Sequence, residues 1–120
     1  MNQSADAELA TSSGNQHQIR RLNDALRQAG RGGRIVMTAG IAALGEELIA
    51  QVLIAVATFD AFNADNDPYG EHDFGAVQVH GHTVFFKIDT YDRNLRYHSP
   101  DPADPAVTCR VMTVMLADEY

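Results

Sequence analysis

The stretch that decides the fold is Phe74-Gly75-Ala76-Val77-Gln78-Val79-His80-Gly81-His82-Thr83-Val84-Phe85-Phe86-Lys87-Ile88-Asp89-Thr90. Two alternating runs flank His80-Gly81, and an X-Gly pair between such runs is the signature of a two-residue hairpin. With Val79 opposite His82, Val77 meets Val84 and Gly75 meets Phe86. Asp73 and Ile88 extend that face, which is the apolar, core-facing one. The other face carries Ala76, Phe74, Phe85, Lys87 and, further out, His72 opposite Asp89. A slip of one residue would exchange the two faces, so this register is a sharp expectation.

Upstream of the hairpin, Asn63 to Asp73 is a polar, turn-rich loop, long for a small domain, and such loops often carry function. Before it, Glu46 to Phe62 reads as a nearly all-apolar helix. Glu46 and Glu47 lie in its first turn, where the positive end of the helix dipole favours acids. Arg34 to Thr38 is rich in β-branched residues and reads as a short strand. Residues 15–29 read as an amphipathic helix with Ile19, Leu22, Leu26 and Ala29 inward, stopped by Gly30, Gly32 and Gly33. Residues 1–14 are small and polar and read as a disordered lead.

Downstream, Thr90 to Pro102 is a second polar segment. Asp104-Pro105 is a helix start, N-cap followed by a first-turn proline. A helix is expected beyond it through Val107, Val111, Val114 and Met115, with a strand over 111–116 as the alternative. The expected fold is a single α+β domain over 15–120, in the order α-β-α-β-β-α. Its sheet would be three-stranded and mainly antiparallel, with helices on one face and Phe74 and Phe85 on an open face.

At 120 residues there is room for one core. Sixteen acids against nine bases give a net charge of −7, which argues against a direct nucleic-acid binder or an anionic-membrane binder. The charge is uneven. Residues 15–34 hold five arginines and one aspartate, whereas residues 60–120 hold eleven acids and four bases. A lone cysteine, Cys109, allows no intramolecular disulfide, and with no secretory signal a cytoplasmic location is expected. Arg31-Gly32-Gly33-Arg34 is only weakly like a phosphate loop, since it lacks the Lys-Ser/Thr signature and follows a helix.

Two constellations carry chemistry. Glu71-His72-Asp73, with Asp65 and Asp67 before it and Asp89 across the hairpin, has the content of a general base. A histidine facing an aspartate has its tautomer fixed and its basicity raised. The aspartates lack the ligand spacing of a calcium loop, and zinc would need a fuller set of nitrogen or sulfur donors. No metal and no cofactor is therefore expected. Tyr91-Asp92-Arg93-Asn94-Leu95-Arg96-Tyr97-His98 interleaves aromatic and charged residues, with Asp101 beyond, as a contact loop does.

The text Asn66-Asp67-Pro68-Tyr69-Gly70-Glu71-His72-Asp73-Phe74-Gly75, then Phe86-Lys87-Ile88-Asp89-Thr90-Tyr91-Asp92, resembles a family of small uncharacterised bacterial proteins. So do Ser99-Pro100-Asp101-Pro102-Ala103-Asp104-Pro105 and Arg110-Val111-Met112-Thr113-Val114-Met115-Leu116-Ala117-Asp118-Glu119-Tyr120. The family occurs in alphaproteobacterial chromosomes, plasmids and prophages. The resemblance covers roughly residues 18–120; it implies a shared fold and a mobile-element setting, and no activity.

The leading expectation is a non-catalytic, acidic protein-interaction module. Its contact residues would be Asp65, Asp67, Tyr69, Glu71, Phe74, Phe85, Tyr91, Asp92, Tyr97 and Asp101. One concrete form is an inhibitor of a host defence complex that binds nucleic acid; self-association through the open face is a further expectation. The alternative is a small hydrolase or metal-assisted enzyme centred on His72 with Asp73 or Asp89. A third reading puts Arg20, Arg21 and Arg27 on an anion.

Overall fold

The computed structural model describes residues 3–120, with side chains described from Asn15 onward. Helix α1 spans Gln3–Ala29, and the expectation of a disordered lead over 1–14 lies outside the residues with described side chains. The chain continues as β1 (Arg34–Met37), α2 (Ala39–Ala42), α3 (Glu46–Thr58), β2 (Phe74–Val79) and β3 (His82–Tyr91). A single 3₁₀ turn, Pro105–Val107, precedes β4 (Cys109–Leu116), and a second, Ala117–Glu119, follows it.

The class is α+β, but the sheet has four strands in the order β1-β4-β3-β2. It is mixed, because β1 runs parallel to β4 while the other pairs are antiparallel. The expected three-stranded antiparallel sheet lacked β4. The helix start at Asp104-Pro105 is present, with the Asp104 side chain accepting from the Ala106 amide at 2.9 Å. It yields one turn only. Thr108 turns inward instead, its hydroxyl 2.7 Å from Ser99 Oγ and donating to Asp101 O at 2.9 Å. From Cys109 the β-branched chain extends between β1 and β3, where both edges of its backbone find partners.

The hairpin register is the expected one, with Val79 opposite His82, Val77 opposite Val84 and Gly75 opposite Phe86. His80 and Gly81 both have positive φ, 48° and 81°, as a type I′ turn requires. Val77, Val84, Phe86, Ile88, Met112 and Val114 face Leu26 of α1, Ile41 of α2 and Val52 and Val56 of α3 in one core. No helix among the described residues is long and apolar enough to cross a membrane.

Helix α3 ends at Thr58, four residues short of the expected Phe62, and the reason lies in α1. Arg27 is 4% exposed and donates to the carbonyls of Val56, Ala57 and Phe59 at 3.0, 3.2 and 2.8 Å. These are carbonyls that a helix C-terminus leaves without partners. Released from the helix, Phe59 and Phe62 turn edge-on to one another and to Phe86.

Candidate functional site

The loop over 63–73 organises itself through short polar side chains. Asn63 Oδ1 accepts from the amides of Asp65 and Asn66 at 2.8 and 3.1 Å, and Asn66 Oδ1 accepts from Asn63 N at 2.8 Å. Asp67 is 7% exposed and accepts from the amides of Glu71 and His72 at 3.1 and 3.3 Å. It holds the loop from within and does not stand on its outer surface, where it was expected. Asp65 and Tyr69 are exposed.

His72 does not face Asp89. The residue sits at φ 56°, off the strand, so the register that begins at Phe74 does not reach it. Its ring stacks on Phe62, and Nδ1 donates to Asp24 Oδ1 at 2.9 Å. Asp24 also pairs with Arg27 at 2.9 Å. Asp67 lies further from the ring, at 3.8 Å from Nε2. Asp89 pairs instead with Lys87 at 3.1 Å. The ion-pair partners of the ring are Asp24 and Asp67 in place of the expected Asp73 or Asp89, and the imidazole clamps the loop to α1. Of the first-helix arginines, Arg27 is buried and engaged within the fold, whereas Arg20 contacts His17 and Arg21 contacts Gln18 at the surface.

The second polar segment is held in the same manner. Asp92 Oδ1 accepts from the Arg96 amide at 3.0 Å, Leu95 takes φ 58°, and Tyr91 and His98 form an isolated bridge. Tyr97 is exposed, and Asp101 accepts from the Ala103 amide at 3.1 Å. Arg110 and Asn23 join the two segments underneath. Arg110 Nε donates to Asn23 Oδ1 at 2.6 Å, and its guanidinium also donates to Pro102 O at 2.5 Å. Asn23 Nδ2 donates to Glu71 O at 2.9 Å.

Between the two segments opens a cavity of about 280 Å³, lined by Glu71 and Asp73 from the first, by Asp89 of β3, and by Tyr91 and His98 from the second. Its floor includes Ile19 and Asn23 of α1. Burial, then the neighbouring charges of Asp73 and Asp67, pushes the Glu71 carboxyl above its ordinary value. Burial likewise pushes Asp73 up, aided by Asp67 and Asp89 and opposed by a backbone hydrogen bond. Burial lowers the pKa of Arg110 beneath them, which Glu71 partly offsets. Among the described residues no group of three or more His, Cys, Asp or Glu side chains is placed to hold a metal ion.

Phe74 and Phe85 lie on the helix-free sheet face, where Tyr120 closes against both with centroids 6.1 and 5.7 Å away. Neither lines the acidic cavity. Asn23 and Arg110 were missed as site residues, whereas His98 closes the contact stretch read from the sequence. The signal for Asn23 was present, since it is a polar residue within the apolar stripe marked by Ile19, Leu22 and Leu26.

No curated protein and no solved structure matches the chain. Residues 37–119 match the family described as "Protein of unknown function (DUF3768)". That match takes in most of the chain, including β2 to β4 and both polar segments, and the protein belongs to this family.

Proposed function

We propose that the protein is a non-catalytic interaction module whose acidic cavity receives a basic side chain of a protein partner. The observation that carries this reading is the convergence of Glu71, Asp73 and Asp89 on one concave site. The half-buried carboxylates of Glu71 and Asp73 repel one another at a cost in the free protein, and an incoming cation relieves that cost. Tyr91 and His98 on the same wall offer flat faces against which a guanidinium can lie. Exposed Asp65, Tyr69 and Tyr97 and half-buried Asp92 on the two segments supply a polar and aromatic rim. A basic surface of a nucleic-acid-binding complex fits this chemistry, and in the mobile-element setting that the sequence resemblance implies, inhibition of a host defence complex is its concrete form.

The test is calorimetric titration of an oligo-arginine peptide into the wild type and into the double variant Glu71→Gln, Asp73→Asn, at low and high salt. Saturable binding that weakens with salt and is lost in the double variant supports the reading. Equal affinity in the two proteins, or no binding to either, overturns it.

A further inference from the structure

A second cavity, of about 440 Å³, lies at the β1–β4 end of the sheet and has the opposite character. Its lining includes Gly32 and Arg34 at the entry to β1, Arg93 and Leu95 from the 92–97 turn, and Cys109 and Val111 of β4. No acidic residue lines it, in a chain with sixteen acids and nine lysines and arginines. Arg34 and Arg93 are exposed, and among the described residues neither is within ion-pairing distance of a carboxylate. Arg34 and Val111 are register partners, so a charged and an apolar side chain stand side by side on the helix-free face. Leu95 is 47% exposed and held at φ 58°, a left-handed conformation that is strained for leucine. The backbone beside Arg34 is also tightly placed, since a Cβ at Gly33 would meet Leu26 Cδ2 at 2.9 Å.

We infer that this cavity binds a small organic anion, a carboxylate, phosphate or sulfonate carried on an apolar body. Two guanidinium-bearing residues without acidic partners supply the charge complement, and the apolar wall of Leu95 and Val111 takes the body. The volume falls within the range of small-ligand pockets and is far too small for a folded partner or a duplex. Cys109 lies in the lining and reports occupancy. Arg110 is in the lining of this cavity and its guanidinium reaches Asn23 at the acidic one, but Arg34 and Arg93 line this cavity alone, so the Arg34→Gln, Arg93→Gln variant tests it apart from the reading given to the acidic cavity.

The experiment is an amide NMR titration with phenyl phosphate, inorganic phosphate and a short DNA duplex, each at low salt. It is paired with the rate of Cys109 alkylation by iodoacetamide. Saturable shifts with phenyl phosphate at Gly32, Gly33 and Cys109, stronger than with inorganic phosphate, are expected, with slowed alkylation in its presence. The double variant Arg34→Gln, Arg93→Gln should weaken the affinity by about tenfold or more, as loss of charge-assisted hydrogen bonds does. An unchanged affinity in that variant overturns the inference, as does the absence of saturation or a response to the duplex alone. Because the alkylation rate is read on the wild type, the inference stays testable even if the variant folds poorly.

Discussion

The imidazole of His72 lies flat on the ring of Phe62, with centroids 3.8 Å apart and planes within 5° of parallel. The histidine holds a left-handed backbone, φ 56°, while Nδ1 donates to Asp24. Stack and hydrogen bond together offset the backbone strain, which for a residue other than glycine is about 1 kcal/mol. Replacing His72 by alanine removes both interactions and keeps the strain. We expect a loss of about 1–2 kcal/mol in urea unfolding. An alanine variant as stable as wild type would show that the ring does not hold the loop.

Arg27 is the second clamp, and the more costly one to remove. It caps three carbonyls at the end of α3, pairs with Asp24 and lies over Phe62 and Phe86 at 5.3 and 5.7 Å. In Arg27→Met the apolar stem is kept, but the carbonyls and the carboxylate lose their partner. The expected cost is about 3–5 kcal/mol, the range for breaking a buried charge pair. Arg27→Lys keeps the charge without the fork and should fall between the two. Denaturant midpoints of the three proteins check the order.

Gly75 is required by packing. A Cβ built there would meet Phe86 Cζ at 2.6 Å and Phe59 Cε1 at 2.9 Å, and Phe86 is fully buried with nowhere to move. Gly75→Ala should destabilise by about 1–3 kcal/mol through overpacking. Gly81→Ala has open space around its Cβ but a φ of 81°, so its smaller cost, about 1 kcal/mol, is one of backbone strain. Thermal unfolding of the pair separates the two causes, because a compensating Phe86→Leu should relieve only the first.

These relationships mark where the sequence was legible. The hairpin could be read to the residue because apolar and polar positions alternate around His80-Gly81, and only one register puts Val77, Val84 and Phe86 together. Reading the same register two residues further paired His72 with Asp89, and there it failed. Strand geometry ends at Phe74, and the loop answers to Asp24 and Asp67 instead. The strand at 109–116 was hidden behind a genuine helix start, because the contacts that end the turn, Thr108 with Ser99 and Asp101, depend on tertiary structure. Likewise Arg27, Arg110 and Asn23 act through carbonyls and side chains far off in sequence, and no local pattern announces such partners.

The acidic cavity carries a stability cost with a definite pH signature. Glu71 and Asp73 have folded-state pKa values above their ordinary 4.5 and 3.8. The folded protein therefore binds more protons than the unfolded chain in the window just above those values. By linkage, stability falls as pH rises through that window, and the cost is fully present above the folded-state values. Neutral replacements remove it. Glu71→Gln should be more stable than wild type at pH 7 by about 0.5 kcal/mol, a small figure because the group is partly solvated and screened. The advantage should vanish as pH falls below the ordinary glutamate value, where the wild-type carboxyl is itself protonated. Glu119 gives the opposite sign. Hydrogen bonds from Thr38 Oγ1, the Leu116 amide and the Gly40 amide hold its carboxyl below the ordinary 4.5. Its stabilisation is present above that value and is lost as pH falls through the folded-state pKa. Glu119→Gln should therefore be less stable than wild type at pH 7, with the gap closing in acid. Urea midpoints of the two variants between pH 3 and pH 7 should thus move to opposite sides of wild type at neutral pH and converge on it at low pH. A Glu71→Gln protein that is less stable than wild type at pH 7 would mean that its carboxylate is already satisfied within the fold, leaving no unmet charge for a basic partner.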